Sequence, residues 1–431
     1  MPDPQAIAGD AQFVSKADIV IIGAGIAGIC TALELAERGL QVVVCEKGIV
    51  AGEQSSKNWG WCRKMGRDPR ELPLASLSLQ LWREMRQRIG SETGFRECGI
   101  VFLCDTDAKM AKRVAWSEEN AEFHGLSTHI IDQHRAAELA PGSTVAWKGG
   151  LYTPDEGRAE PQIAVPAIAE AARRLGVRIY QNCAVRGLMR NGGAVAGVVT
   201  ERGEVACDRV VLAGGAWSRR FCHNEGIALP QLTVTNSVSR TAPIDLDIDT
   251  TIAAGRFAIR KRLDGGYTLA DNQYNVADII PDSFRLFRLF LPHLVSEWGD
   301  LKLRIGKRFV QEVRLKRRWQ LDETTPFEQV RRLEPEPAER LLDEALSSLT
   351  QVFPQFAQAR IVERWAGGID VVPDAVPIMS AVDAVPGFYI MTGFSGHGFG
   401  LGPGAGRLMA QIVCNEPTAV DAAPFAFSRF Q

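Results

Sequence analysis

Asp18-Ile-Val-Ile-Ile-Gly-Ala-Gly-Ile-Ala-Gly28 is an apolar, β-branched run that closes on three glycines at G-x-G-x-x-G spacing. The run predicts a buried strand, and the glycines a turn into a helix that carries Leu33, Leu35 and Ala36 and stops at Arg38-Gly39. A second strand, Gln41 to Cys45, follows and ends at Glu46. Strand, turn, helix, strand and terminal acid in that order make the βαβ unit of a dinucleotide site. Gly23 permits the turn, Gly25 lets a pyrophosphate approach the backbone, and Gly28 lets helix and strand pack closely. The helix start, with Ile26 and Ala27, presents free N–H groups to the phosphates, and Glu46 stands where it accepts from ribose hydroxyls.

Outward from this unit the chain is ordinary globular material: 431 residues, 46% hydrophobic and 23% charged, long enough for two or three folding units. Lys plus Arg is 49 and Asp plus Glu is 51, a net charge of −2 that gives no global drive toward nucleic acid or anionic membrane. Nine scattered cysteines with no C-x-x-C pair predict reduced thiols in a cytoplasmic protein and no structural zinc. The apolar stretch Ile19 to Leu33 is too short and glycine-rich to span a bilayer. It also lacks the basic flank of a signal peptide, so a soluble, unprocessed chain is expected.

Leu72 to Ile89 has helical apolar spacing, Gly99 to Leu103 reads as a strand, and Ala108 to His124 and Asp132 to Leu139 as helices. Ile163 to Leu175 predicts a helix, Val177 to Gln181 a strand, Ala194 to Thr200 with Gly203 to Cys207 a hairpin, and Arg209 to Ala213 a buried strand. Leu232 to Leu321 is rich in β-branched and aromatic residues and reads as sheet, with a turn at Asp264-Gly265-Gly266. A helix from Ala338 to Leu349 precedes a final strand, glycine loop and helix over Ile361 to Val413.

Three separated motifs resemble the FAD-dependent D-amino-acid oxidase (DAO) superfamily, which includes glycine, sarcosine and D-amino-acid oxidases. They are the Gly23 to Gly28 loop with Glu46, the segment Val210 to Ser218 (Val-Val-Leu-Ala-Gly-Gly-Ala-Trp-Ser), and the tail from Trp365-Ala-Gly-Gly368 to Gly393-Phe-Ser-Gly-His-Gly-Phe-Gly400. The resemblance implies a mixed α/β fold in which a Rossmann-like FAD domain interleaves with an antiparallel-sheet substrate domain. Residues 12–90, 148–228 and 355–431 would form the first, and 91–147 and 229–354 the second. It implies noncovalent FAD held by Gly23, Gly25, Ile26, Ala27, Gly28, Glu46 and Lys47, then by Ser55, Ser56, Asn58, Trp59 and Gly60. Val185 would meet the adenine, and Ala213, Gly214, Trp217, Gly368, Gly396, His397, Gly398, Phe399 and Gly400 would complete the site. The terminal helix is expected from Gly404 to Val413.

Such an enzyme moves hydride from a C–N carbon to flavin N5, so a substrate anchor is needed more than an acid–base triad. Arg63 stands where sarcosine oxidases bring an arginine to the substrate carboxylate; its alternative is a surface arginine among Lys57, Lys64 and Arg67. Trp61, with Trp59, either walls the active site or packs the core. Ile369 stands where glycine oxidases carry the carboxylate arginine, and the next residue, Asp370, either receives a cationic amine or ties a loop. His397 either touches the ring or substrate or holds the loop. His124, His129 and His134 recur without metal spacing and read as solvated surface. The basic run Lys302 to Arg318 reads as a solvated strand face or protein interface.

The sequence therefore predicts an FAD-dependent oxidoreductase that takes an amino acid or a primary or secondary amine to an imine. Oxygen or an electron carrier is the expected acceptor, and an oligomer is compatible with the reading. A hydroxy-acid (C–O) dehydrogenase and the flavin subunit of a heteromeric amine dehydrogenase stand as alternatives.

Overall fold

A computed structural model describes residues 2–121, 125–296 (the Ser296 side chain excepted), 299 and 301–431. The elements used below are, in chain order, β1 (Ile19–Ile22), α1 (Ile26–Glu37), β2 (Val42–Cys45), α2 (Leu72–Ile89), α3 (Pro161–Arg174), β3 (Arg178–Tyr180), β4 (Arg209–Leu212) and β5 (Leu232–Thr241). They continue with α4 (Phe287–Ser296), α5 (Lys307–Arg314), β6 (Ile361–Val371), β7 (Ile378–Ala381), β8 (Phe388–Thr392) and α6 (Gly398–Cys414).

The opening stretch forms the centre of a six-stranded sheet in the order β7-β8-β4-β1-β2-β3. Strand β1 runs parallel to both neighbours, Ile19 facing Arg209 on one side and Val42 on the other, and only β7 is antiparallel. Short runs of Ile and Val suit this place, because strands covered on both faces bury every side chain. Ile19, Val20 and Ile21 are fully buried, each adding roughly 1.5–3 kcal/mol of apolar burial. Helices α1, α2, α3 and α6 cover one face. Close packing of α1 on its strand rests on Gly28, where a Cβ would lie 2.1 Å from the Gly23 carbonyl oxygen.

A second, ten-stranded sheet lies beside the first and holds β5 paired antiparallel with β6 from Leu232↔Val371 to Thr241↔Ile361. It is mostly antiparallel, with parallel contacts at Thr251↔Ile100 and Asn275↔Leu301. Two stretches expected in the FAD domain belong to it: Gly149–Thr153 pairs with Ile100–Cys104, and β6 pairs with β5. Hydrogen bonding across the sheet, invisible to local pattern, puts both stretches there.

The stretch read as continuous sheet to Leu321 leaves the strand state after Asp278. Pro281–Arg285, α4 and α5 are helical, and only Leu301–Arg304 is a strand. The basic run is thus a short strand and a helix, not a strand face. Leu286 and Phe290 turn inward onto Val371, while Phe284, Phe287, Leu289, Leu291 and Val295 stay exposed. The charged helix expected to His124 is α-helical over Asp107–Trp116 and continues as one π turn to Ala121. His124 lies outside the described residues. The terminal helix begins at Gly398, six residues before the expected Gly404.

Candidate active site

The C-terminal ends of β1, β2 and β4 open on one cleft that encloses about 1200 Å³, mouth included. Open parallel sheets bind ligands at this edge, where strand order reverses. Gly23, Gly25, Ile26 and Ala27 line it from the β1–α1 turn, and Ser55 and Asn58 from the following loop. The Ile26 N–H donates to Ser55 Oγ at 2.9 Å, fastening the loop to the helix start. Helix α6 delivers a second N-terminus, with Gly396, Gly398 and Phe399 on the wall. Neither α1 nor α6 carries an acidic residue in its first turn or a capping N-cap side chain, so both leave positive dipole ends toward the cleft, α1 with its Ile26 N–H already taken by Ser55 Oγ.

Glu46 and Lys47 follow β2, and Val185 stands opposite. The Glu46 carboxylate is folded back on its own turn, accepting from the N–H groups of Ala24 at 2.9 Å and Gly48 at 2.7 Å. Burial raises its pKa, against the pull of Lys47. Lys47 is turned to the chain itself: Nζ donates to Glu53 Oε1 at 2.6 Å and to the carbonyls of Val330 and Arg331, and lies 4.5 Å over the Trp217 ring. Trp217 Nε1 donates to Glu53 at 3.0 Å. Glu53 thus joins three segments of the wall, a role with no motif to announce it. Phe327, Met391 and Phe394 also line the cleft unannounced.

Ala213, Gly214, Trp217 and Gly368 also line the cleft. Gly28, Ser56, Trp59, Gly60, His397 and Gly400 stand behind it. Ser56 is fully buried, its Oγ donating to the Glu53 carbonyl at 3.2 Å, and Trp59 Nε1 donates to Asn236 at 2.7 Å. Gly60 lies against the Ala159 carbonyl and Arg260, and the Gly400 carbonyl accepts from Ser78 Oγ and Trp82 Nε1. These six support the cleft from outside rather than line it, because spacing along a loop does not say which residue turns inward.

Asp370 does line the cleft and is 7% exposed. Its Oδ2 accepts from Gly393 N at 2.6 Å, Thr392 Oγ1 at 3.1 Å and Gln231 Nε2 at 3.2 Å, so the carboxyl ties β6 to the turn after β8. That is the loop-tying alternative, and it leaves no exposed carboxylate for an amine. Burial raises the Asp370 pKa. A Cβ added at Gly396 would lie 3.8 Å from the Ile369 side chain, in ordinary contact.

Behind the α6 N-terminus sits a group of buried and half-buried charges. The Arg63 guanidinium lies 5.4 Å from the Phe102 ring and donates to the Met65 carbonyl; Arg113 stacks on the same ring at 4.5 Å. Lys57, Lys64 and Arg67 are buried and Arg63 itself is half-buried, so these four do not form a solvated surface patch. Burial and the neighbouring Arg67 push the Arg63 pKa down to about 9. Arg67 Nε and Nη1 and Glu156 Oε2 are buried without hydrogen-bond partners. Glu156 Oε1 accepts from the N–H groups of Lys64 and Met65, and burial pushes its pKa up to about 7. His397 Nδ1 contacts Glu71 at 3.0 Å, and burial with Arg67 holds its pKa below the ordinary value. Trp61 packs edge-on against Trp59 and tilted against Phe102. His129 contacts the Ser127 carbonyl and His134 reaches Glu138.

Known proteins share this architecture. Sarcosine oxidase subunit beta of an Arthrobacter species is 25% identical over 96% of this chain and 91% of its own length. Glycine oxidase of Pseudomonas aeruginosa is 25% identical over 95% of this chain and 98% of its own. Among solved structures, L-amino acid deaminase from Proteus myxofaciens in complex with anthranilate superposes with a TM-score of 0.95 at 34% identity, covering 99% of this chain and 96% of that one. The sequence profile of the DAO family, FAD dependent oxidoreductase, matches residues 18–412. With the glycine turn, the two helix N-termini and the Arg209–Trp217 wall falling inside that match, this chain belongs to the DAO family of FAD-dependent oxidoreductases.

Proposed function

We propose that the protein oxidises a C–N bond of an amino acid or a related amine to an imine. The glycine turn and the two uncapped helix N-termini on one cleft carry the cofactor half of this reading, since they fit an extended dinucleotide with a central pyrophosphate. FAD, bound noncovalently, supplies the hydride acceptor. The cleft-lining residues Gly23, Gly25, Ile26, Ala27, Glu46, Lys47, Ser55, Asn58, Val185, Ala213, Gly214, Trp217, Gly368, Gly396, Gly398 and Phe399 hold it. The interleaved division into a cofactor domain and a substrate domain is retained, with Gly149–Thr153 and β6 moved to the second.

The substrate half rests on charge. Arg63 and Arg113 lie on the Phe102 ring with Arg67 beside Arg63; the acids that act on Arg63 are Glu156 and Glu71, and burial raises the first toward neutrality. Such an excess of guanidinium favours a carboxylate at this end, so amino acids rank above simple amines. Likeness to the Proteus myxofaciens L-amino acid deaminase puts L-amino acids first in the panel. Trp61 and Arg63 both pack on Phe102, and His397, its pKa held down, is oriented by Glu71. The acceptor is oxygen or an electron carrier, and nine unpaired thiols support a cytoplasmic location.

Anaerobic absorbance near 450 nm tests this reading. Bleaching by one class among D- and L-amino acids, N-alkyl amino acids and polyamines is the expected result, and readmitted air then distinguishes oxygen from a carrier. Bleaching by hydroxy acids alone overturns it in favour of C–O oxidation. The likeness to a sarcosine oxidase beta subunit favours one second reading, a flavin subunit that works only with a partner chain. Flavin that no substrate bleaches until a neighbouring gene product is added identifies that case.

A further inference from the structure

The basic run singled out in the sequence has a destination that the flavin chemistry does not use. Arg308 and Arg317 from that run turn into a cavity under α5, where they meet Arg219 and Arg220 from the segment after β4 and Arg285 from the Pro281–Arg285 helix. The cavity encloses about 1040 Å³ with its mouth and shares Ala216 and Trp217 with the cofactor cleft. Five guanidinium groups line it against two carboxylates, and each acid is divided among several arginines. Asp282 receives Arg219 at 2.7 Å, Arg285 at 2.8 Å and Arg317 at 3.6 Å. Glu312 is shared by Arg220 and Arg308. His223 completes the wall, and burial with Arg317, Arg318 and Arg219 keeps it neutral. Its polar floor is Gln231 and Thr233 of the β5 segment.

Two acids cannot satisfy five forks of five donors each. Arg317 makes no hydrogen bond to Asp282 at its distance, and Arg285 spends one nitrogen on it. Both stand at the mouth, 37% and 47% exposed, while Arg219, Arg220 and Arg308 stand deeper. Planar guanidinium groups arranged around a concave space match carboxylate or phosphate oxygens in pairs. The chain as a whole carries −2, so this positive concavity is a local construction and not a general surface charge.

We propose that this cavity binds a small polyanion, a ligand with two or more carboxylate or phosphate groups, at a site separate from the oxidised substrate. Trp217 forms the wall between the two sites, with the cofactor on one side and the anion on the other.

Calorimetric titration of the flavin-loaded protein with pyrophosphate and with citrate, at constant ionic strength set by NaCl, tests the proposal. One saturable site with a Kd below about 1 mM for at least one of the two is expected. The tighter arm identifies phosphate or carboxylate as the recognised group. Replacing both Arg285→Gln and Arg317→Gln raises that Kd by about tenfold or more with flavin content unchanged, and Arg340→Gln, at an exposed pair elsewhere, leaves it as it was. No saturable binding by either anion overturns the proposal. So does an equal Kd in the double variant, or release of flavin as the anion binds, which would place the anion in the cofactor cleft.

Discussion

The two ends of the candidate site are built from different materials. At the cofactor end the groups facing the cleft are largely backbone: the Gly23–Gly28 turn, the α1 start and the α6 start. At the Arg63 end, behind the α6 start, stand side chains whose charges are balanced only in the folded state: Arg63, Arg67, Arg113, Glu71, Glu156 and His397. A backbone site is fixed by where glycine must stand, so its tolerance is steric. A side-chain site is fixed by dielectric and by neighbours, so its tolerance depends on pH.

Gly28→Val breaks the comparison most severely. Its first added carbon meets the Gly23 oxygen at 2.1 Å, a side-chain carbon against a backbone atom that has no room to move. A loss of at least about 4 kcal/mol in stability and of nearly all bound flavin is expected, read by denaturant unfolding and by the 280/450 nm ratio.

Glu156→Gln tests the charged end through pH. The folded pKa near 7 lies above the ordinary 4.5, so the wild type holds this contribution fully below about pH 4.5 and loses it as pH rises through 7. The wild type should therefore lose on the order of 3 kcal/mol between pH 5 and pH 9 that the variant does not. Parallel pH profiles of unfolding free energy would remove Glu156 from the titrating set.

Arg63→Ala sharpens the contrast in activity. KM for a carboxylate substrate should rise roughly tenfold to a hundredfold, the worth of a charge-assisted hydrogen bond, with flavin content intact. Unchanged kinetics would move the anchor to Arg67 or Arg113. Asp370→Asn sits between the two ends and should have the smallest effect. An amide still accepts from Gly393 N, so about 1 kcal/mol of stability and an equal, modest rate loss for all substrates are expected. Selective loss of cationic amines would restore the amine-receiving role.

Legibility followed the same division. The βαβ opening and the helix over Leu72–Ile89 were readable because spacing alone dictates them. The start of α6 was not. Gly398-Phe-Gly-Leu-Gly-Pro-Gly404 has poor helix propensity, and it is helical because tertiary packing overrides it: a Cβ on Gly402 would meet Ile26 at 2.3 Å, and one on Gly404 would meet Ser78 at 2.9 Å. Segment 281–314 mixes apolar and basic residues without a clean period, and its helices turn apolar side chains both inward and outward. Which side chains of the flavin loops face the cleft is set by tertiary packing and not by spacing along the loop. Trp59 and His397 point away, and Glu53 points in.

The order β8-β4-β1 has a consequence for synthesis on the ribosome. Strand β4 emerges early and finds β1 waiting, but its other edge stays open until Phe388–Thr392 has been translated, roughly 10–35 s later at ordinary elongation rates. For that interval the nascent chain exposes a row of unpaired peptide groups flanked by Val210, Val211 and Leu212. Loss of the last tenth of the chain therefore removes an interior strand and leaves that edge open to pairing with other chains.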